Sequence, residues 1–272
     1  MRGVGNDVVD LKEPDNRGKS GDKRFLARVF TAQEREQVAQ AAAPDTLLWS
    51  FWAAKEAAYK AVSGGDPPVC SVPRRYPVHI EASALFGNPD PLARRTFFDP
   101  APPRSAAKTE LALEHSDTVF APASLRGPGS RKNLQCALPG SDFQRSHLGG
   151  KAEGLLTGRV VTPRGEMALR ITVTDDYVHA IAAGFDADVT GIIQRVDRME
   201  DGGNPGDPSV FVREQLLAEI SCRLGCSIDE LTVRNDPSGS RAPRVFRGDR
   251  PLSLEISLSH DGRFTAFALL FR

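Results

Sequence analysis

The sequence has no excess charge of either sign, because 35 lysine and arginine residues balance 35 aspartate and glutamate residues over its 272 positions. A chain without net charge has no overall field that would attract nucleic acid or an anionic membrane. Long apolar runs are also lacking: a run such as Phe264–Phe271 is far too short to cross a bilayer, and the start MRGVGNDVVDL contains no apolar signal-peptide core. We therefore predict a cytoplasmic protein that binds neither nucleic acid nor membrane.

Cysteine is scarce as well. The four cysteines are irregularly spaced, and the closest two, Cys222 and Cys226, have three residues between them rather than the two of common zinc and redox motifs. We interpret all four as reduced structural thiols. The 40% hydrophobic content over this length is sufficient for one large domain or two smaller lobes.

The amino-terminal segment predicts a strand followed by helices. Gly3–Leu11 is short, rich in valine and bounded by glycine and proline, which is typical of a strand, and it carries Asp7 and Asp10. Thr31 and Glu34 have the spacing of a capping box, so a helix is expected to begin at that threonine.

The clearest helix signal in the sequence is Leu47–Val62, which consists of strong helix formers and ends at a Ser-Gly-Gly stop. Glu56 and Lys60 are four residues apart at the edge of its apolar stripe. The pattern therefore predicts an acid and an amine side by side at a core boundary.

The remaining chain divides into a loop-rich part and a structured part. Residues 88–154 are dominated by proline, glycine, arginine and serine and are expected to form mostly loop, whereas Gly158–Phe185 alternates as paired strands do. The segment 200–208, EDGGNPGDP, is the best linker candidate. An amphipathic helix is predicted over Ser209–Leu224, and strands are predicted within Leu231–Phe271.

Two segments repeat one design. Leu169–Gly184 and Leu254–Leu269 each contain an alternating strand, a polar turn with aspartate, and a strand rich in aromatic residues and alanine. Two similar hairpins suggest two related lobes, with chance similarity between amphipathic hairpins as the alternative.

The segments GVGNDVVDL, WAAKEAAYK and ISLSHDGRFTAFA together closely resemble the three signature motifs of the 4′-phosphopantetheinyl transferases. In that family the aspartate of the first motif and the glutamate of the second hold Mg²⁺ against the pyrophosphate of coenzyme A, which by position implies Asp7 and Glu56 as the metal ligands. Mg²⁺ prefers hard oxygen ligands and is commonly held by one or two carboxylates together with substrate phosphates, so this pair suits it.

The resemblance implies further site residues. Lys55 and Lys60 correspond to the lysines of the second motif, and Ser259 and His260 to the residues of the SxSH motif that contact the phosphates. A basic turn before the third motif stands where the family contacts the nucleotide end of coenzyme A. The expected set is, for catalysis, Glu56, Lys60 and His260, and, for binding coenzyme A, Lys55, Ser259, His260, Arg241 and Arg244.

The implied architecture is an α+β fold of two related α/β lobes that form a pseudo-dimer, with the site in the cleft between them. In the two-lobed members, however, the SxSH motif comes first, whereas here it comes last. One interpretation is a permuted two-lobed monomer, with a metal-binding lobe at 1–197 that carries the loop-rich insertion and an SxSH lobe at 209–272. The alternative is a single-lobe enzyme of the holo-carrier-synthase type with a long insertion, which would form a trimer.

The implied reaction moves the phosphopantetheine arm of coenzyme A to a serine of an acyl or peptidyl carrier protein and releases adenosine 3′,5′-bisphosphate. The natural carrier, whether of fatty acid, polyketide or nonribosomal peptide synthesis, is left open. Val9 stands where larger members carry a second acid, which keeps a catalytically degenerate binding module as the alternative function. Asp10 is an alternative metal ligand, and the general base is Glu56, Asp10 or a metal-bound water.

A possible carrier-docking surface lies on the first predicted helix. Arg24, Phe25 and Arg28 resemble the basic and apolar surface with which the family meets the acidic helix of a carrier protein. The alternative is that Phe25 belongs to the core and that the two arginines are simply solvated.

Overall fold

The computed structural model describes residues 3–64, 68–81, 152–184, 191–199, 207–235 and 242–272. Most of the predicted loop-rich segment, nearly all of the predicted linker and Arg241 lie outside these ranges. The helices are α1 Lys23–Val29, α2 Ala32–Gln40, α3 Pro44–Ser63 and α4 Pro208–Leu224. The strands are β1 Val4–Asp10, β2 Val78–Ile80, β3 Ala152–Thr162, β4 Gly165–Thr174, β5 Tyr177–Gly184, β6 Ile193–Arg198, β7 Leu231–Asn235, β8 Pro243–Arg247, β9 Arg250–Pro251, β10 Leu254–Asp261 and β11 Phe264–Phe271.

The strands in the described ranges form three antiparallel sheets. A five-stranded sheet has the order β1-β5-β4-β3-β2, and two three-stranded sheets have the orders β10-β11-β6 and β7-β8-β9. The mixture of helix and sheet confirms the predicted α+β class. The edge strands β1 and β10, which carry the first and third sequence motifs, lie next to each other.

Each of the two larger helices covers one sheet. Alternate residues of β1, β4 and β5, such as Val9, Ile171 and Val178, pack against α3 in the largest hydrophobic core. Helix α4 packs in the same way on β10 and β11, where Leu216 contributes to a second core with Phe267. The strand alternation predicted from the sequence therefore separates a helix-facing side from an opposite side on each sheet.

The opposite sides of the two sheets pack against each other. One cluster between them joins Val8 and Tyr177 to Phe264, and a second joins Val4 to residues of β11. The layers thus follow the order helix, sheet, sheet, helix. This arrangement places both edge strands, β1 and β10, at the same border of the structure.

The predicted elements in the described part of the chain are confirmed, with two differences in extent. The capping box is present, since Thr31 Oγ1 accepts from the Glu34 amide and the Glu34 carboxylate accepts from the Thr31 amide. Strand β3 begins at Ala152, so the last three residues of the segment expected to be mostly loop are strand, and the rest of that segment lies outside the described residues. Strand β6 lies before the predicted linker but pairs with β11 rather than with the amino-terminal sheet.

Glycine is required where β1 crosses α3. A Cβ atom at Gly5 would overlap the carbonyl oxygen of Ala57, and one at Gly3 would overlap that of Ala61. The absence of a side chain therefore lets the strand that carries Asp7 approach the helix that carries the second motif.

Gly5→Ala should lower the free energy of unfolding by about 1–3 kcal/mol, because the backbone of α3 has to move to admit the methyl group. Urea denaturation measures this change. The matched control is Gly21→Ala, where an added Cβ meets no atom within 4 Å and a change of less than about 0.5 kcal/mol is expected. Equal stability of the two variants would show that the close approach of β1 and α3 is not tight.

Candidate active site

Lys60 connects the second sequence motif to the other two. From the last turn of α3 its ammonium donates to Asp7 Oδ1 at 2.7 Å and to the carbonyl oxygen of Asn6 at 3.1 Å, both on β1. It also donates to the carbonyl oxygen of Leu258 on β10 at 3.3 Å. One side chain therefore bridges α3, β1 and β10 at the border where the two sheets meet.

The carboxyl groups of Asp7 and Glu56 lie close enough to influence each other. Burial raises the pKa of Asp7 above its ordinary value of 3.8, although the neighbouring Lys60 opposes the shift. Burial also raises the pKa of Glu56 above 4.5, and the charge of Asp7 raises it further. Two carboxyl groups whose charged forms are disfavoured are a site that a bound cation would stabilise.

The carboxylates of Asp7 and Glu56 suit a Mg²⁺ ion that is also bound by substrate oxygens, rather than an ion held by protein ligands alone. Among the described residues no hydrogen bond or ion pair engages the half-buried carboxylate of Glu56, and no group of three or more His, Cys, Asp or Glu side chains is placed to hold a metal. Mg²⁺ needs no such group, since it keeps several waters and commonly takes one or two carboxylates together with phosphate oxygens.

His260 completes this cluster from β10. Its side chain is exposed at the end of the strand, near enough for its charge to lower the pKa of Asp7 against the effect of burial. The structure thus brings together four of the residues predicted from the sequence, namely Asp7, Glu56, Lys60 and His260.

The comparison with protein families matches the part of the chain that carries the first two motifs. The family model described as the 4′-phosphopantetheinyl transferase superfamily matches residues 3–74, a range that contains Asp7, Glu56 and Lys60. A holo-[acyl-carrier-protein] synthase of Verminephrobacter eiseniae (strain EF01-2) is 31% identical over 127 residues, which are 47% of this chain and 94% of that protein. The chain belongs to the 4′-phosphopantetheinyl transferase superfamily. No solved structure matches the chain significantly.

No helix within the described ranges combines the length and apolarity that crossing a bilayer requires.

Lys55, predicted to bind coenzyme A, lies away from the cluster. It is buried inside the protein, where its ammonium donates to Glu34 Oε1 and to the Tyr76 carbonyl oxygen at 2.8 Å each and to the Pro73 carbonyl oxygen at 3.4 Å. Burial lowers the pKa of Lys55, and the charge of Glu34 opposes the shift. Its contacts anchor α3 to α2 and to the segment before β2, which is the place of a structural residue.

Ser259, also predicted to bind coenzyme A, is only 4% exposed. Its hydroxyl accepts from Asn6 Nδ2 at 3.0 Å and lies 3.5 Å from the Ala266 carbonyl oxygen. The alternation of β10 explains this placement: Ser259 points into the contact between the two sheets, whereas His260 points out of it and is exposed. The hydroxyl therefore joins the two sheets in this structure.

Asp10 is poorly placed to serve as the alternative metal ligand. Its carboxylate is fully buried and receives two parallel hydrogen bonds of 2.8 Å from the guanidinium of Arg263. Although burial alone would raise the pKa of Asp10, the hydrogen bonds from Arg263 and from the Lys12 amide lower it. With its carboxylate held in this way, Asp10 is also unsuited to act as a general base.

The basic turn before the third motif is only partly described. Arg241 lies outside the described residues, and Arg244 is exposed on β8, opposite Arg234 of β7. A contact between these arginines and a phosphate of coenzyme A stays a prediction.

The residues of the predicted docking surface divide between the core and the surface, and a role in carrier docking stays a prediction. Phe25 is half-buried and its ring lies 5.9–6.0 Å from the rings of Phe30, Trp49 and Trp52, whereas Arg24 and Arg28 are exposed. The aromatic ring thus belongs to the edge of the core and the charges belong to the surface.

Two buried residues that were not predicted as site residues, Asn6 and His179, lie next to the cluster. Asn6 is fully buried, and its backbone N–H donates a hydrogen bond to Ser257 Oγ at 2.9 Å. Its side chain contacts His179 Nε2 at 3.2 Å. Burial lowers the pKa of His179 to about 3, and the charges of Arg170 and Lys60 add to this effect, so the imidazole is neutral. The only signal for Asn6 in the sequence is its position beside Asp7.

Proposed function

We propose that this protein transfers the 4′-phosphopantetheine arm of coenzyme A to a serine hydroxyl of an acyl or peptidyl carrier protein, in a Mg²⁺-dependent reaction that releases adenosine 3′,5′-bisphosphate. The observation that carries the proposal is the convergence of Asp7, Glu56, Lys60 and His260 from three elements, in a chain of the phosphopantetheinyl transferase superfamily. The superfamily alone supports phosphopantetheine transfer in general, and the cluster supports the finer statement.

In this proposal the carboxylates of Asp7 and Glu56 hold Mg²⁺. When bound, the ion neutralises charge on the pyrophosphate oxygens of coenzyme A and so favours the departure of the nucleotide. Lys60 already lies 2.7 Å from Asp7, and its positive charge is suited to the developing negative charge on the phosphoryl group. The exposed His260 is suited to donate a hydrogen bond to the same group from the opposite side.

The serine of the carrier protein supplies the nucleophile. Its oxygen forms a bond to the phosphorus that bears the pantetheine arm, and the bond from that phosphorus to the bridging oxygen breaks, which leaves adenosine 3′,5′-bisphosphate. The serine proton has to be accepted by a base, and of the two carboxylates considered Glu56 is better suited than Asp10, because Arg263 occupies Asp10.

We also propose that the chain is a permuted two-lobed monomer with coenzyme A in the cleft between the lobes. Two helix-covered sheets that pack face to face, each containing one of the similar hairpins, support this arrangement. Because β6 pairs with β11, the boundary between the lobes is better drawn before Ile193 than at residue 197. Sedimentation velocity tests the monomer, and a trimer would instead support the single-lobe interpretation.

The activity is tested with coenzyme A, Mg²⁺ and a panel of unmodified carrier domains from fatty acid, polyketide and nonribosomal peptide systems. A carrier that gains the mass of one phosphopantetheine group, at its serine and with equimolar release of adenosine 3′,5′-bisphosphate, supports the proposal. Binding of coenzyme A without transfer to any carrier would instead identify the degenerate binding module that Val9 suggests.

Binding of Mg²⁺ should depend on pH over a range in which ordinary carboxylates stay ionised. The pKa values of Asp7 and Glu56 are both raised above their ordinary values of 3.8 and 4.5. Protons therefore compete with the cation at pH values where ordinary carboxylates are already ionised. We expect the increase in the thermal unfolding midpoint on adding Mg²⁺ to become smaller as the pH falls from 7.5 towards 5. An increase that stays constant over this range would contradict the assignment of these two ligands.

A further inference from the structure

A buried ion pair joins β1 to the turn between β10 and β11. The guanidinium of Arg263 donates from Nε to Asp10 Oδ2 and from Nη2 to Asp10 Oδ1, both at 2.8 Å, and the amide of Arg263 donates to Asp10 Oδ2 at 3.0 Å. Asp10 is fully buried, and the side chain of Arg263 is 25% exposed. Three hydrogen bonds between two residues fix both the distance and the orientation of the two segments.

The neighbours of this pair strengthen the same junction. Asp261 Oδ2 accepts from the Asp10 amide and from Asn16 Nδ2, each at 2.9 Å. Gly262, which lies between Asp261 and Arg263 in the turn, has a φ of +49°, and a Cβ at that position would overlap the Asp10 carboxylate. The turn of the β10–β11 hairpin is therefore shaped to fit against the end of β1.

The junction lies close to both walls of the proposed site. Asp10 follows Asp7 by three residues on β1, and Arg263 follows His260 by three residues at the end of β10. Because Arg263 and His260 lie on one tight hairpin, a displacement of Arg263 from Asp10 would shift the end of β10 that carries His260. Arg263 also lies 3.5 Å from Asp176 Oδ1. Contacts from Lys60 and Asn6 hold β10 at its Ser257, Leu258 and Ser259 positions, before His260.

We propose that Arg263 is a positioning residue for the transfer reaction, which acts through its ion pair with Asp10 to hold the end of β10, and with it His260, next to β1. The inference rests on the proposed function, and it adds a residue that touches neither the substrate nor the proposed metal. It explains why the only arginine of the hairpin turn is bound to a buried aspartate of the first motif.

The main test is Arg263→Lys, which keeps the positive charge but cannot form the two parallel hydrogen bonds. Displacement of a reacting group by about 1 Å can reduce a rate by about a hundredfold, so we expect kcat to fall about tenfold or more and the KM for coenzyme A to change less than about threefold. Ile220→Val, a mild core change in α4 away from the junction, is the control for a general loss of stability.

A double-mutant cycle with His260→Gln separates positioning from a merely structural role. If Arg263 acts through His260, Arg263→Lys should lower kcat less than about twofold in the His260→Gln background. A wild-type kcat for Arg263→Lys, or an equal loss in both backgrounds, would overturn the proposal. Asp10→Asn combined with Arg263→Gln removes both charges and serves as the second variant if the lysine substitution does not fold.

A spectroscopic measurement keeps this inference separate from the proposed function. The imidazole Cε1–H resonance of His260, identified by its loss in His260→Gln, should shift in Arg263→Lys and stay unchanged in Ile220→Val. If no carrier accepts the arm while this resonance shifts, the proposed function fails and the positional coupling stands. If transfer occurs normally and neither kcat nor the resonance responds to Arg263→Lys, the positioning role alone fails.

Discussion

Glu56→Gln should reduce the kcat for phosphopantetheine transfer by about a hundredfold to a thousandfold, the range seen when one preorganised electrostatic contact to a transition state is removed. Glutamine has nearly the same shape but offers no negative charge to Mg²⁺ and no basic oxygen to the serine proton. Because Glu56 forms no hydrogen bond or ion pair with any described residue, the substitution breaks no contact within that part of the chain. The rate of transfer to the best carrier domain, followed by mass spectrometry, measures the effect.

The matched control for this prediction is Glu36→Gln, an exposed glutamate on α2, which should retain the wild-type rate. Transfer by Glu56→Gln within about threefold of the wild type would remove Glu56 from the proposed mechanism. A loss of activity in both variants would point to an effect of charge on carrier binding instead.

Glu56→Gln should raise the stability of the protein although it lowers its activity. Since burial and the nearby Asp7 raise the pKa of Glu56, its ionised form is disfavoured in the folded protein, and stability falls as the pH rises through that pKa. The neutral glutamine lacks this penalty, so Glu56→Gln should unfold at a higher temperature than the wild type at pH 7 without Mg²⁺. The difference should disappear at a pH low enough to protonate Glu56, which thermal unfolding at pH 7 and pH 4 checks.

Lys55→Met should lower the free energy of unfolding by about 3–5 kcal/mol, because it leaves the carboxylate of Glu34 buried without its cation. That carboxylate is 2% exposed and also accepts hydrogen bonds from the amides of Val78 and Thr31, so it cannot turn towards solvent without breaking them. A loss of this size is a large fraction of the stability of a typical domain, about 5–15 kcal/mol. Urea denaturation of the full chain measures it.

The same variant distinguishes the two roles considered for Lys55. Arg159→Met breaks a pair with Glu166 in which both side chains are about half exposed, and it should change stability by less than about 1 kcal/mol. If Lys55 bound coenzyme A, Lys55→Met would instead raise the KM for coenzyme A and leave the unfolding free energy close to that of the Arg159→Met control. The buried contacts of the ammonium favour the structural role.

Much of the local structure was predictable because it depends on neighbouring residues. The capping box at Thr31, the helix with Glu56 and Lys60 four residues apart, and the two similar hairpins all follow from side-chain periodicity and turn residues. The same periodicity was insufficient for Lys55, since it could not identify Glu34, on another helix, as its partner.

The sequence by itself determined the class of the fold, the helix and strands that carry the motifs, and the acids and bases available for chemistry, because these depend on side chains a few positions apart. Only the tertiary structure decided which of them meet. It joined Asp7 and Lys60 at 2.7 Å across 53 positions and bound Asp10 to Arg263 across 253. Such pairings depend on how two sheets and two helices pack, and burial then decides whether a charged group stays available, as at Glu56, or is neutralised inside the protein, as at Lys55.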